Sequence, residues 1–235
     1  MSQAKERPIL FNGPMVRAIL EGRKTVTRRA VKEWQQPRLQ DDGSWFATAQ
    51  RHPRWGFGVS GIDASTCAQE LSDTGCCPYG RPGERLWVRE TFADIGCRLT
   101  YRADLDDGAH CAVKRWTPSL HMRRIDSRIL LEITAVRVER LQDLSDDQAK
   151  AEGMVYTDFG MQERPGKVSL DGGKTFHPMK PRQAPGWHAG DATHPDQCLD
   201  RARWAFANLW EKINGQYSWD ANPWVWVVEF KRIQP

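Results

Sequence analysis

No Cys-x-x-Cys pair occurs in the 235 residues, and no apolar run approaches the roughly 18 residues that a membrane-spanning helix needs. The first absence argues against a zinc site. Cys67, Cys76, Cys77 and His52 are the nearest approach to a ligand set, and two adjacent cysteines rarely chelate one tetrahedral ion together. The second absence argues against a membrane. Also missing are a Ser/His/Asp order and a phosphate-cradling glycine loop; Gly56-Phe57-Gly58 lacks the third glycine and the following helix of a dinucleotide fingerprint. No metal and no cofactor are therefore expected. The start, Met1 to Pro8, has no apolar stretch behind its charges, so a cytoplasmic location and reduced thiols are expected for the six cysteines.

A large excess of charge of one sign is missing as well: 34 Lys+Arg against 30 Asp+Glu leaves only +4. That excess is too small to mark the whole chain as a nucleic-acid binder. The basic residues are nevertheless clumped, with Arg23, Lys24, Arg28, Arg29 and Lys32 together, then Arg81, Arg85 and Arg89, then Arg123, Arg124 and Arg128. A local positive surface follows from that clustering.

Helical signals open at Asn12-Gly13-Pro14. Asn12 or Gly13 can cap, Pro14 suits the first helical position, Met15, Ala18 and Ile19 recur at helical spacing, and Gly22 closes the element. Lys24-Thr25-Val26-Thr27-Arg28 is β-branched and alternating, so this helix feeds a strand or a tight extended turn. Residues 33–79 lack sustained periodicity and predict a long irregular insertion. Short strands are predicted at Leu86–Glu90 and Arg98–Arg102, and a long one at Arg128–Arg140. Ser145 and Gln148 then form a capping box, with Leu144 placed to staple onto Ala149 and Gly153 ending the short helix. Residues 155–196 turn polar and rich in Gly, Pro and His, predicting a second insertion or mobile lid. Ala202, Ala205, Phe206, Leu209, Trp210 and Ile213 mark an amphipathic helix ended by Asn214-Gly215, and Trp224–Phe230 is the last strand. Most strands lie too close in sequence for βαβ crossovers. A single α+β domain is expected, a small mixed or antiparallel β-barrel with flanking helices and two long insertions.

Four stretches, in this order, resemble a known family. They are Gly22-Arg23-Lys24-Thr25-Val26-Thr27-Arg28-Arg29, Arg81-Pro82-Gly83-Glu84-Arg85-Leu86-Trp87-Val88, Leu144 to Met154, and Val225-Trp226-Val227-Val228-Glu229-Phe230-Lys231. The chain resembles ASCH domain proteins, relatives of the PUA fold, and is most similar to their larger phage and prophage members. The helix and last strand also resemble those of small bacterial ASCH enzymes that remove acetyl from N4-acetylcytidine. The resemblance covers about half the chain, because the two insertions have no counterpart in those compact enzymes. It implies a PUA-like barrel and a catalytic set of Lys24, Thr27 and Glu152.

The chemistry of those residues is coherent on its own terms. Amide hydrolysis through a covalent step needs a hydroxyl nucleophile, a base that is neutral when it acts, and a group to manage the proton of the leaving amine. Thr27, Lys24 and Glu152 suit those roles, and Arg23, Arg28 and Arg29 would help depress the lysine pKa. Glu152, in the last turn of a short helix, meets the negative end of the macrodipole, which favours a protonated carboxyl. In a strictly extended strand, however, Lys24 and Thr27 point to opposite faces, so a bend or bulge is required. Thr25 shares the parity of Thr27 and is the rival nucleophile. The whole segment also reads as a phosphate-binding basic loop at a helix end.

Substrate contacts are expected from Arg23, Thr25, Arg28, Trp87, Arg89 and Glu90, although Arg89-Glu90 also reads as a solvent-facing pair. Trp87, Trp116, Trp224 and Trp226 read as core or as stacking surfaces for a base. Two functions remain open. One is an amidohydrolase removing an acyl group from the exocyclic amine of a modified nucleoside or base, with cytidine pointed to by the resemblance alone. The other is a module that binds single-stranded RNA, DNA or a nucleotide without turnover.

Overall fold

A computed structural model describes residues 4–52, 54–164, 166–169 and 172–234. β1 (Glu6–Leu10) leads into α1 (Gly13–Leu20), where the Asn12 side chain caps the Met15 N–H at 3.0 Å and Pro14 occupies the first turn. Met15, Val16, Ala18 and Ile19 form its buried face. Gly22, at φ +76°, turns the chain off this helix towards β2 (Val26–Ala30).

Residues 33–79 are more ordered than their composition implies. They build a three-stranded antiparallel sheet, β3 (Arg38–Leu39), β4 (Trp45–Arg51) and β5 (Gly56–Gly61), followed by the ten-residue α2 (Ala64–Asp73). Small and polar residues hide the pattern: Ala47 and Ala49 are the buried positions of β4, and glycine stands at 56, 58 and 61 where a strand signature would place β-branched residues. α2 is capped by Asp63, which accepts from the Thr66 N–H at 2.7 Å. It buries Cys67, Ala68 and Leu71 in the same apolar cluster as the rest of the chain.

β6 (Arg85–Arg89) is followed by the small hairpin β7 (Phe92–Asp94) and β8 (Leu99–Tyr101), and then by the long β9 (Leu130–Arg140). Ser72 on α2 accepts from the Val138 N–H at 2.8 Å and so ties the first insertion to β9. α3 (Asp146–Ala151) has the anticipated capping box of Ser145 and Gln148, and ends at Glu152 and Gly153. The second predicted insertion carries a ribbon of β10 (Val155–Gln162) with β13 (Arg182–His188) and a minimal hairpin of β11 (Lys167–Val168) with β12 (His177–Pro178). The ribbon packs against α4 (Ala202–Asn214). β14 (Trp224–Ile233) ends the fold.

The main sheet has the order β1-β6-β9-β14-β2, parallel between β1 and β6 and antiparallel elsewhere. β14 lies inside it, and Trp224 to Val228 are all buried, so the strand reads as a continuous apolar run because both faces are covered. The fold is mixed α+β, as expected. The expected barrel is not found among the described residues: the main sheet is open, with β1 and β2 as its two edges. A side-chain link, Arg29 Nη2 to the Leu10 carbonyl at 3.0 Å, joins them instead. The described residues include no helix long and apolar enough to cross a membrane.

Candidate functional site

The turn after α1 and the end of α3 are held together by backbone first. The Arg23 and Lys24 amides both donate to the Ala18 carbonyl, at 2.8 and 2.9 Å, and the Thr25 amide donates to the Ala151 carbonyl at 2.9 Å. Gly153 makes this approach possible. It sits at φ +100°, and a Cβ there would lie 2.9 Å from the Ala18 Cβ and 3.3 Å from the Lys24 Cβ.

That packing buries Lys24 and Glu152 against each other, each 2% exposed. Lys24 Nζ donates to Glu152 Oε2 at 2.6 Å, to the Glu152 carbonyl at 2.9 Å and to the Val26 carbonyl at 2.8 Å. Three acceptors match the three protons of an ammonium. Burial nonetheless holds the Lys24 pKa below the usual lysine range; the Glu152 charge opposes that shift, and Arg29 and Arg28 add to it. Arg28, also 2% exposed, donates from Nη1 to Glu152 Oε1 at 3.3 Å and from Nε to Glu139 Oε1 at 3.2 Å. Glu139 is held in turn by Arg137, which also pairs with Glu229.

The parity problem is thereby answered. Lys24 and Arg28, four residues apart, both reach Glu152; Thr27, of the other parity, does not. Thr27 is fully buried, and its Oγ1 has no hydrogen-bond partner among the described residues. The bend that precedes β2 thus unites Lys24 with Glu152 and leaves the hydroxyl unbonded. Thr25 is exposed, with its backbone tied to Ala151 and, through its carbonyl, to the Phe230 amide at 2.9 Å.

A cleft of about 430 Å³ opens over this cluster, between the two sheet edges and α4. Glu152, Arg28 and Arg29 supply its charged floor; Phe11, Phe206, Leu209 and Trp210 supply apolar wall, and Asn12 and Ser119 stand among the polar lining groups. The size and the mixture suit a small-molecule site. Arg29 has no carboxylate within ion-pair distance among the described residues. It donates to the Arg28 and Leu10 carbonyls, with its guanidinium carbon 5.3 Å from the Phe11 ring centroid. Burial holds its pKa below the ordinary arginine value.

The remaining sequence-predicted residues lie elsewhere. Arg23 bonds Glu21 and the Gly153 carbonyl, bracing the turn. Trp87 is buried with the Arg89 guanidinium 4.7 Å from its ring centroid, and Arg89 Nε is buried without a partner. Glu90 is buried in a bidentate pair with Arg128, at 2.9 and 3.0 Å, and Arg128 also grips Asp104. Burial raises the Glu90 pKa, and the Arg128 contacts oppose the rise. Trp87, Arg89 and Glu90 are not among the residues that line the cleft. Phe11 and Glu139 were not singled out by sequence reasoning, and Arg29 was read as a neighbour that lowers the Lys24 pKa, not as a cleft residue. Among the described residues no group of three or more His, Cys, Asp or Glu side chains is placed to hold a metal ion.

Comparison of the chain with protein-family models, with curated proteins and with solved structures gives no match.

Proposed function

We propose that the chain is an ASCH-type, PUA-like amidohydrolase that removes an acyl group from the exocyclic amine of a nucleoside or nucleotide held in the cleft. The Lys24–Glu152 contact carries this reading: two side chains 128 residues apart meet at 2.6 Å in the interior, beneath a cleft of ligand size. Stability alone accounts poorly for such a pair. Desolvation costs several kcal/mol per ion, and apolar replacements of similar volume are often neutral or stabilising.

The resting pair is ammonium and carboxylate. Passing one proton across the 2.6 Å contact gives a neutral amine and a carboxylic acid, and the desolvation that lowers the Lys24 pKa favours this exchange. The Lys24 side chain must then leave the Val26 carbonyl and reach Thr27. Its amine takes the Thr27 hydroxyl proton while Oγ1 attacks the acyl carbon. Glu152, the member of the pair that faces the cleft, gives its proton to the exocyclic nitrogen as the C–N bond breaks. Water hydrolyses the Thr27 ester, releasing the carboxylic acid and restoring the hydroxyl. Phe11 and Trp210 offer surface for the base, and Arg29 offers unused donors for an acceptor group on the ligand.

One observation favours the second reading. Thr27 Oγ1 is unpartnered and does not line the cleft, and all three Lys24 protons are engaged. In that case the same cleft binds a nucleotide or a single-stranded nucleic acid, and the buried pair is a clamp. Incubation of the protein and its Lys24→Ala variant with N4-acetylcytidine, its deoxy form and longer N4-acyl homologues separates the two. Release of cytidine by the wild type alone supports the hydrolase; no release from any substrate leaves the binding module.

A further inference from the structure

The β3–β4–β5 sheet turns one face to the core and the other to solvent. Ala47 and Ala49 point inward; Phe46, Thr48 and Gln50 point outward, opposite Ser60, Gly58 and Phe57 of β5. Aromatic rings stand where an outer face is ordinarily polar: Phe46 is 39% and Phe57 46% exposed. Trp55, in the β4–β5 connection, is 54% exposed and stacked on His52 at 4.9 Å with the planes 26° apart. A Cβ on Gly58 would lie 2.1 Å from the Phe46 ring, so that ring rests on the bare backbone of β5.

A recess of about 350 Å³ runs from Phe46 and Phe57 to Arg51 and His52. A second, of about 320 Å³, continues from Gln50 and Arg51, which wall both, towards Trp34, Lys32 and Arg81. The first recess is aromatic and the second is basic. Lys32, Arg51 and Arg54 have no carboxylate within 4.0 Å among the described residues, whereas Arg7, at the far end of the second recess, is paired with Glu84.

We propose that this joined groove binds single-stranded nucleic acid, with bases stacked on Phe46 and Phe57 and the phosphate backbone led past Arg51 and Lys32. Flat rings on a sheet beside uncompensated cations are the two elements of such sites, since every unpaired base has a π-face and every nucleotide a charge. A protein partner would be expected to cover an apolar centre; here Thr48, Gln50 and Ser60 lie between and beside the rings. A duplex keeps its bases stacked within itself and offers nothing to the rings. The groove is separate from the Lys24–Glu152 cleft, and the proposal stands whether or not that cleft is catalytic.

Fluorescence anisotropy of labelled oligouridine and oligothymidine of about a dozen nucleotides, and of the matching duplex, tests it over a salt series. Single strands bind, RNA or DNA, and the duplex binds at least about ten-fold more weakly. Phe46→Ala and Phe57→Ala each weaken single-strand binding about ten-fold. Lys32→Gln and Arg51→Gln each lower the slope of log affinity against log salt by about 0.7. Far-ultraviolet circular dichroism checks that the variants fold, and Phe57→Ser serves as a second substitution at an exposed position. Absence of single-strand binding at low salt overturns the proposal. So does equal binding of the duplex, or unchanged affinity in folded Phe46→Ala and Phe57→Ala proteins.

Discussion

Replacing Lys24 with methionine removes the buried cation while keeping most of the side chain's length. Breaking a buried ion pair from one side costs about 3–5 kcal/mol, because the remaining charge is left without its counter-ion. Here Glu152 keeps Arg28 Nη1 at 3.3 Å, which places Lys24→Met at the lower end, about 3 kcal/mol. Glu152→Gln costs at least as much, about 3–5 kcal/mol, since the buried Lys24 keeps the Val26 and residue-152 carbonyls but loses its carboxylate. The double variant removes both charges together, so its loss falls short of the sum by about 1–2 kcal/mol. Urea unfolding followed by tryptophan fluorescence measures all four proteins. The pH dependence has a definite sign. Burial puts the folded Lys24 pKa below its ordinary 10.5, so between those two values the unfolded chain binds more protons and stability rises with pH; below the folded value this contribution is flat. Lys24→Met abolishes that alkaline rise. A Lys24→Met protein as stable as the wild type, or strict additivity in the double variant, refutes the reasoning.

Thr27→Val removes a buried hydroxyl that has no partner, so it stabilises the protein by about 1 kcal/mol in the same unfolding assay while ending turnover; a loss of stability would show that the hydroxyl is bonded. Gly153→Ala places an L-residue at φ +100° and a Cβ 2.9 Å from Ala18, which destabilises by about 2 kcal/mol or more and lowers activity by shifting Glu152 off Lys24; wild-type stability would contradict the packing. His188 accepts from the Gly190 N–H at 2.9 Å on Nδ1, so Nε2 carries the proton and donates to Thr157 Oγ1 at 2.8 Å. Burial holds its pKa below 6.5, the unfolded chain therefore takes the proton more readily, and stability falls as pH drops from about 6.5 through the folded value. Thermal unfolding of His188→Gln lacks that acid step; an unchanged profile would assign it to another group.

Where one residue type has one strong local meaning, the sequence and the structure agree. The Ser145/Gln148 capping box, the apolar stripe of α4 and the run of tryptophan and valine in β14 each appear where they are read. The first insertion defeats the same method because alanine and glycine carry β4 and β5. Only Asp63 and the spacing of Ala64, Cys67, Ala68 and Leu71 announce α2. The site was partly legible: Lys24 and Glu152 meet, but the parity of β2 sends Arg28 to Glu152 and leaves Thr27 apart. Arg89 and Glu90 stand outside the cleft lining, and a short strand end does not disclose that Arg128, 38 residues later, returns to claim the Glu90 carboxylate. The expected barrel was likewise not legible as an open sheet, because whether β1 and β2 pair depends on tertiary placement, and here they are the two edges of the sheet.

The most direct test of the amidohydrolase account is the rate of cytidine release from N4-acetylcytidine by the wild type, Thr25→Val and Thr27→Val side by side. The account predicts turnover by the wild type and by Thr25→Val, and none by a folded Thr27→Val protein. No turnover by any of the three, or an undiminished rate in Thr27→Val, would contradict it.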